Sequence, residues 1–172
     1  MSFAVDVNVN KSFRVDTTVG AAFDLLADVP KSVSHFPKVD RLADLGKNCY
    51  RWEMERIGLD RYFIQTVYAC RYTSSKRDGK VQWEPIAGIG NADVAGRWIL
   101  KRISENSVQV KLTTTARITV ALPSLLRLLL AGLIENEFKS LIEQYISNLR
   151  ATLEAGPMRS TGKCKERTMR TR

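Results

Sequence analysis

Residues 3–15, FAVDVNVNKSFRV, place Phe3, Val5, Val7, Val9, Phe13 and Val15 on odd positions, with Asp6, Asn8, Asn10, Ser12 and Arg14 between them. A period of two sends successive side chains to opposite faces, so this segment is predicted to be a long strand with one buried face. Asp16-Thr17-Thr18 then offers side-chain oxygens able to cap a helix, and in the following VGAAFDLLADV the residues Val19, Ala22, Phe23 and Leu26 recur at helical spacing. Pro30 is expected to stop this helix, and a second short turn, KSVSHF, ends at Pro37.

From about residue 40 to 121 the pattern is that of strands. Segment 48–57 places Tyr50, Trp52 and Met54 on one face and Arg51, Glu53 and Glu55 on the other, while 59–72 places Tyr62, Ile64, Thr66, Tyr68, Cys70 and Tyr72 on its even face. The turn SSKRDGK (74–80) joins this strand to VQWEP as a hairpin, and AGIGN (87–91) is expected to be a glycine-rich connection. Residues 92–103 put Val94, Trp98 and Leu100 on one face. In 107–120, Val108, Val110, Leu112, Ala116, Ile118 and Val120 alternate with polar residues, so the sheet has an inside and an outside.

Pro123-Ser124 opens a predicted helix over about 125–154. Its apolar stripe runs through Leu126, Leu129/Leu130, Leu133/Ile134, Phe138, Leu141/Ile142, Tyr145 and Leu149. Gly156-Pro157 ends it. A sheet with one apolar face has to be covered, and only this helix is long enough to do so. The expected class is α+β: a curved antiparallel sheet of about six to seven strands around a long C-terminal helix, with two short helices after the first strand. Residues 1–155 form the expected domain, and 156–172 an expected disordered basic tail.

That order, and the residues filling it, resemble the START-like (SRPBCC) superfamily, whose fold is the helix grip. The matching residues are Val19 to Asp28, Phe36-Pro37, Trp83, the stretch Gly88 to Gly96, and Leu122-Pro123. The local pattern is similar to the polyketide cyclase/dehydrase and coenzyme-Q-binding branches. The resemblance implies a cavity between sheet and helix for a hydrophobic guest such as a lipid, isoprenoid quinone or polyketide. Some members do chemistry there, and others dock on proteins or ribosomes. It covers residues 1–154 and brings no catalytic signature; the basic tail departs from its pattern.

Charge changes this picture little. Of the net +9, the last sixteen residues hold +5 through Arg159, Lys163, Lys165, Arg167, Arg170 and Arg172 against Glu166, so the body keeps only +4. The tail's interspersed cations could meet anionic lipid or a protein partner, but it lacks aromatics for base stacking, and nucleic acid is not expected as a partner. Three widely spaced cysteines and one histidine do not make a zinc site, and no metal or cofactor is expected. Odd, unpaired cysteine usage and the lack of an apolar signal core point to a cytoplasmic protein. The run 118–134 is broken by Pro123 and carries Arg127, so it is too short to span a membrane. Its leucines at 125–133 exceed one stripe. They either pack on the early helices or form a mouth touching a membrane or a protein.

The candidate site is the inner face. Tyr50, Trp52, Met54, Tyr62, Ile64, Thr66, Tyr68, Trp83, Trp98, Leu112, Thr114, Phe138, Leu141 and Tyr145 are expected to line a ligand cavity, since tyrosine and tryptophan join a large apolar body to one polar handle. The other reading of the same residues is a filled core. Arg56 shares the inward parity and is a candidate polar anchor for a ligand's carboxylate or phenolate, unless it turns to solvent at its strand end. His35, the lone histidine, has no partner deducible from spacing, and no catalytic residue is assigned. The leading expectation is a binding or carrier protein for a hydrophobic small molecule. A polyketide cyclase/dehydratase is the first alternative, and a protein- or ribosome-interaction module the second.

Overall fold

The computed structural model describes residues 2–59 and 62–156. Strand β1 (Phe3–Val15) is followed by helices α1 (Val19–Ala27) and α2 (Val29–Val33). The strands β2 (Val39–Gly46), β3 (Cys49–Met54), β4 (Ile57–Leu59), β5 (Tyr62–Ile64), β6 (Val67–Ser75), β7 (Lys80–Gly90), β8 (Ala92–Ser104) and β9 (Ser107–Val120) come next. A single 3-10 turn over Ser124–Leu126 leads into α3 (Arg127–Ala155). Seven strands form one antiparallel sheet in the order β1-β9-β8-β7-β6-β3-β2, and β4-β5 is a separate two-stranded ladder. Because β1 and β2 lie at opposite edges, α1 and α2 carry the chain across the sheet between them.

The parity pattern survives in detail where it was strongest. Val108, Val110, Leu112, Ala116, Ile118 and Val120 of β9 are all buried, as are Phe3, Val5, Val7, Val9 and Val15 of β1. The two strands pair without a break from Phe3↔Val120 to Val15↔Val108. The inward run of β1 is interrupted at Lys11, whose ammonium reaches Glu143 of α3 at 2.7 Å. From α3, the buried side chains are Leu130, Ile134, Leu141, Ile142, Tyr145, Leu149 and Leu153. Each is worth about 1.5–3 kcal/mol when fully removed from water.

Three local expectations are corrected. Pro30 does not stop a helix but sits in the first turn of α2, where its missing N–H costs nothing, and Asp28 caps that turn by accepting from Lys31 N at 3.1 Å. The two long strands expected over 48–57 and 59–72 are broken into β3, β4, β5 and β6. Continuing β3 through the inward parity of Arg56 would bury a guanidinium without a partner, so the chain leaves the main sheet there. The side chain of Gln65 closes the break by donating to Met54 O at 3.1 Å.

The glycine-rich connection is instead a bulge within β7. Tyr68 pairs with Gly90 while Cys70 pairs with Pro85, so residues 86–89 loop out of register. Gly90 has φ +79°, and a Cβ there would stand 2.0 Å from Val67 O, so only glycine fits. Asn91 locks the bulge: its Oδ1 accepts from Val67 N at 2.8 Å, and its Nδ2 donates to Gln65 O at 3.1 Å and Thr119 O at 3.3 Å.

Candidate functional site

Between the inner face of the sheet, α2 and α3 lie two small chambers of ≈ 60 Å³ and ≈ 40 Å³. Each has room for only a few water-sized molecules. They share three walls, Phe36, Tyr68 and Phe138. The rest of the inner space between sheet and helix is filled by aliphatic and aromatic side chains of the core.

The first chamber is lined by Trp52, Tyr68, Trp83, Trp98, Leu112, Thr114, Phe138 and Tyr145 from the expected set. The second takes Met54, Thr66 and Leu141, together with Tyr68 and Phe138. Tyr50 and Ile64 line neither: Tyr50 is half-buried, edge-on to Tyr72, and Ile64 belongs to the packed core. The side chain of Tyr62 and the whole tail from residue 157 lie outside the described residues. Arg56, the expected anchor, is exposed, its guanidinium 4.8 Å from the centre of the Phe63 ring, a cation–π arrangement away from both chambers.

His35 is also outside the chambers. Its Nδ1 is 2.9 Å from Lys31 O and its Nε2 2.8 Å from Thr152 Oγ1, so it ties α2 to α3.

Several lining residues fall outside the expected set. Tyr72, which parity places on the same even face as Tyr68, lines the first chamber with it. Val29, Ser32 and Val33 come from α2, whose approach to the sheet leaves no periodic signal in so short a segment.

The aromatic walls hold one another. Trp52 stacks on Tyr68 with ring centres 5.6 Å apart and planes 14° from parallel, and Tyr72 lies over Trp83 at 5.9 Å and 30°. Tyr145 meets Phe36 at 4.9 Å and Trp98 at 5.9 Å. Trp83 owes its position to Gly96, its cross-strand partner: a Cβ at Gly96 would stand 2.3 Å from Trp83 Cζ2. The indole therefore lies against bare backbone.

Among the described residues, no charged side chain lines the first chamber. Its polar groups are phenols, hydroxyls and indoles. Ser32 Oγ and Tyr145 OH share one hydrogen bond of 2.5 Å, so one of their two protons remains unspent. Thr114 Oγ1 donates to Ala95 O at 3.0 Å. Burial pushes the Tyr145 phenol up to about 12, against a smaller opposing effect of its bond to Ser32. Burial likewise holds Tyr68 and Tyr72 well above the ordinary phenol range, so all three are neutral at physiological pH. The second chamber differs at its rim, where Lys38 Nζ meets Glu137 Oε1 at 2.5 Å. The Glu137 carboxylate, by hydrogen bond and charge, holds the Lys38 ammonium above its ordinary value.

No described helix is long and apolar enough to cross a membrane. No protein-family model matches the chain, and no curated protein matches it significantly. Solved structures do match. A START superfamily protein from Mycobacterium smegmatis superposes with TM-score 0.64 at 10% identity, over 86% of this chain and 97% of that one. The Zhui aromatase/cyclase from Streptomyces sp. R1128 gives 0.59 at 14% identity, over 87% and 94%. A STAR-related lipid transfer protein from Xanthomonas axonopodis gives 0.59 at 15% identity, over 85% of each chain. Likeness at such low identity speaks to architecture alone, and on that ground, with the curved seven-stranded sheet and the long C-terminal helix, the chain has the START/SRPBCC-like helix-grip fold.

Proposed function

We propose that this protein binds and carries a small, neutral, apolar molecule in the space between its sheet and α3. The observation that carries this reading is the first chamber itself: its lining is aromatic and aliphatic with a few hydroxyls, and among the described residues no charged side chain lines it. Burying a charged guest there would cost far more than its apolar contacts return. Stacked rings such as Trp52–Tyr68 suit a guest with a planar or unsaturated portion, as in a quinone, a polyketide-like ring or an unsaturated lipid chain. The fold neighbours include a lipid transfer protein and an aromatase/cyclase, which supports a hydrophobic guest by analogy of fold.

A guest larger than a single ring needs more room than ≈ 60 Å³. Phe36 and Phe138 stand between the two chambers, and swinging them aside joins the two spaces. Binding therefore repacks aromatic side chains rather than filling a ready-made hole. Native mass spectrometry of protein purified from its own host tests the reading: a co-purifying apolar molecule is expected. Protein that arrives empty and binds no apolar probe overturns it.

One observation favours a second reading, a cyclase/dehydratase-type enzyme. Arg56 and His35 lie outside the chambers, whereas the phenol-bearing side chain of Tyr68 lines both. Burial keeps this phenol neutral, so it can donate a hydrogen bond to a substrate oxygen, although it is a poorer proton donor than a free tyrosine. On this reading Tyr68→Phe abolishes turnover of a polyketide-like substrate while leaving its binding intact.

A further inference from the structure

Trp52 is 5% exposed and lines the first chamber, yet its indole Nε1–H is buried without a hydrogen-bond partner. An indole N–H can only donate, and a buried donor left unpaired is costly. The Trp52 ring is stacked on Tyr68, with ring centres 5.6 Å apart. The chamber therefore holds a buried, unspent donor, and among the described residues no charged side chain lines it.

We infer that Trp52 Nε1–H is the donor site for the carbonyl oxygen of a neutral, unsaturated guest. A carbonyl oxygen has two lone pairs and no proton, so it can only accept. A carboxylate would also accept but brings a charge that no cation lining the chamber offsets among the described residues. The site thus distinguishes ketones, quinones and similar carbonyl compounds from hydrocarbons of the same shape and from acids. This inference rests on the proposed binding of an apolar guest and narrows its chemical class.

The test uses three probes of one ring each: acetophenone, α-methylstyrene, which replaces the C=O by C=CH₂, and benzoate. Titrations of ¹⁵N-labelled protein followed by NMR give affinities and the indole N–H signals together, with Trp52 assigned through the Trp83→Phe and Trp98→Phe spectra. Acetophenone is expected to move the Trp52 N–H proton downfield, and α-methylstyrene to leave it in place. The ratio of ketone to alkene affinity should fall about tenfold in Trp52→Phe, a comparison in which the probes' different affinities for water cancel. If Trp52→Phe does not fold, the response of the wild-type Trp52 N–H signal to ketone and alkene decides the matter. Benzoate should not bind.

If ketone and alkene bind with an unchanged ratio and an unmoved N–H signal, the donor site is refuted while apolar binding stands. Benzoate binding as tightly as acetophenone refutes the preference for a neutral carbonyl. If no probe binds the wild-type protein, the binding function itself fails and the donor site falls with it.

Discussion

Towards its C-terminal end α3 buries Leu141, Ile142, Tyr145, Leu149 and Leu153, whereas at its N-terminal end Leu128 and Leu129 stand in solvent, with Leu125 just before them. Leu125 and Leu128 are each 93% exposed. Both ends are leucine-rich, so composition does not separate them. What separates them is the neighbouring structure. The C-terminal half meets α2 through Ser32–Tyr145, His35–Thr152 and the donation from Asn148 Nδ2 to His35 O at 2.9 Å. The N-terminal half has the small second chamber beneath it, reached by Ile134, Glu137, Phe138 and Leu141. The N-terminal half still buries Leu130 and Ile134, each 2% exposed, and Glu137 reaches Lys38, so the contrast is confined to the start of the helix, where Leu125, Leu128 and Leu129 meet solvent.

Leu149→Ala tests the anchored end and carries the largest expected effect. Leu149 is 1% exposed, among the largest fully buried side chains. Truncating its isobutyl side chain to a methyl group leaves a cavity in the packed core. Stability should fall by about 2–5 kcal/mol, read from the denaturant midpoint at constant slope. A loss below about 1 kcal/mol would show that this half of the helix is as loosely held as its start.

Alkaline pH probes the same end through Tyr145. Its phenol is held up to about 12 by burial, while in the unfolded chain it ionises near the ordinary value of about 10. Below pH about 10 both states keep the proton and the full stabilisation is present. As pH rises from about 10 to 12 the unfolded state loses its proton first, so stability declines, by about 2–3 kcal/mol for this one group. Tyr145→Phe removes that share. The variant should be about 1 kcal/mol less stable than wild type near pH 8, having lost the hydrogen bond to Ser32, and its stability should then fall less steeply between pH 10 and 12. Tyr68 and Tyr72 keep part of the slope in place. An identical slope in wild type and variant would mean that Tyr145 is already wet.

The contrast between the two ends also marks how far the sequence could be read. The inner face of β9 was plain, because six apolar residues on one parity have only one sheet face to occupy. The aromatic set around Trp52, Tyr68 and Trp98 followed from the same rule. Parity says which way a side chain points and not how much space remains in front of it, so a chamber of ≈ 60 Å³ and a filled core look alike in the sequence. The break at Arg56 was missed because alternation continues on both sides of it; only the cost of burying that guanidinium distinguishes a continuous strand from two. Leu129 and Leu133 fit the helical stripe as well as Leu130 and Ile134 do. Which member of each pair turns inward depends on the roll of α3 against the sheet, a tertiary property with no local signal.

Leu128→Ala carries the smallest expected effect and bears most directly on that exposed end. Leucine and alanine have similar helix propensity, and a side chain 93% exposed gives up almost no buried area when truncated. Stability at low protein concentration should change by no more than about 0.5 kcal/mol. The comparison with Leu149→Ala then measures the difference in anchoring along a single helix. A loss above 1 kcal/mol that grows with protein concentration would show that Leu128 is covered in solution by a second copy of the chain, and the exposed end would then be an interface. A loss of that size at all concentrations would show instead that the start of α3 packs on its own domain, so that both ends of the helix are anchored and the chambers can open only through α2.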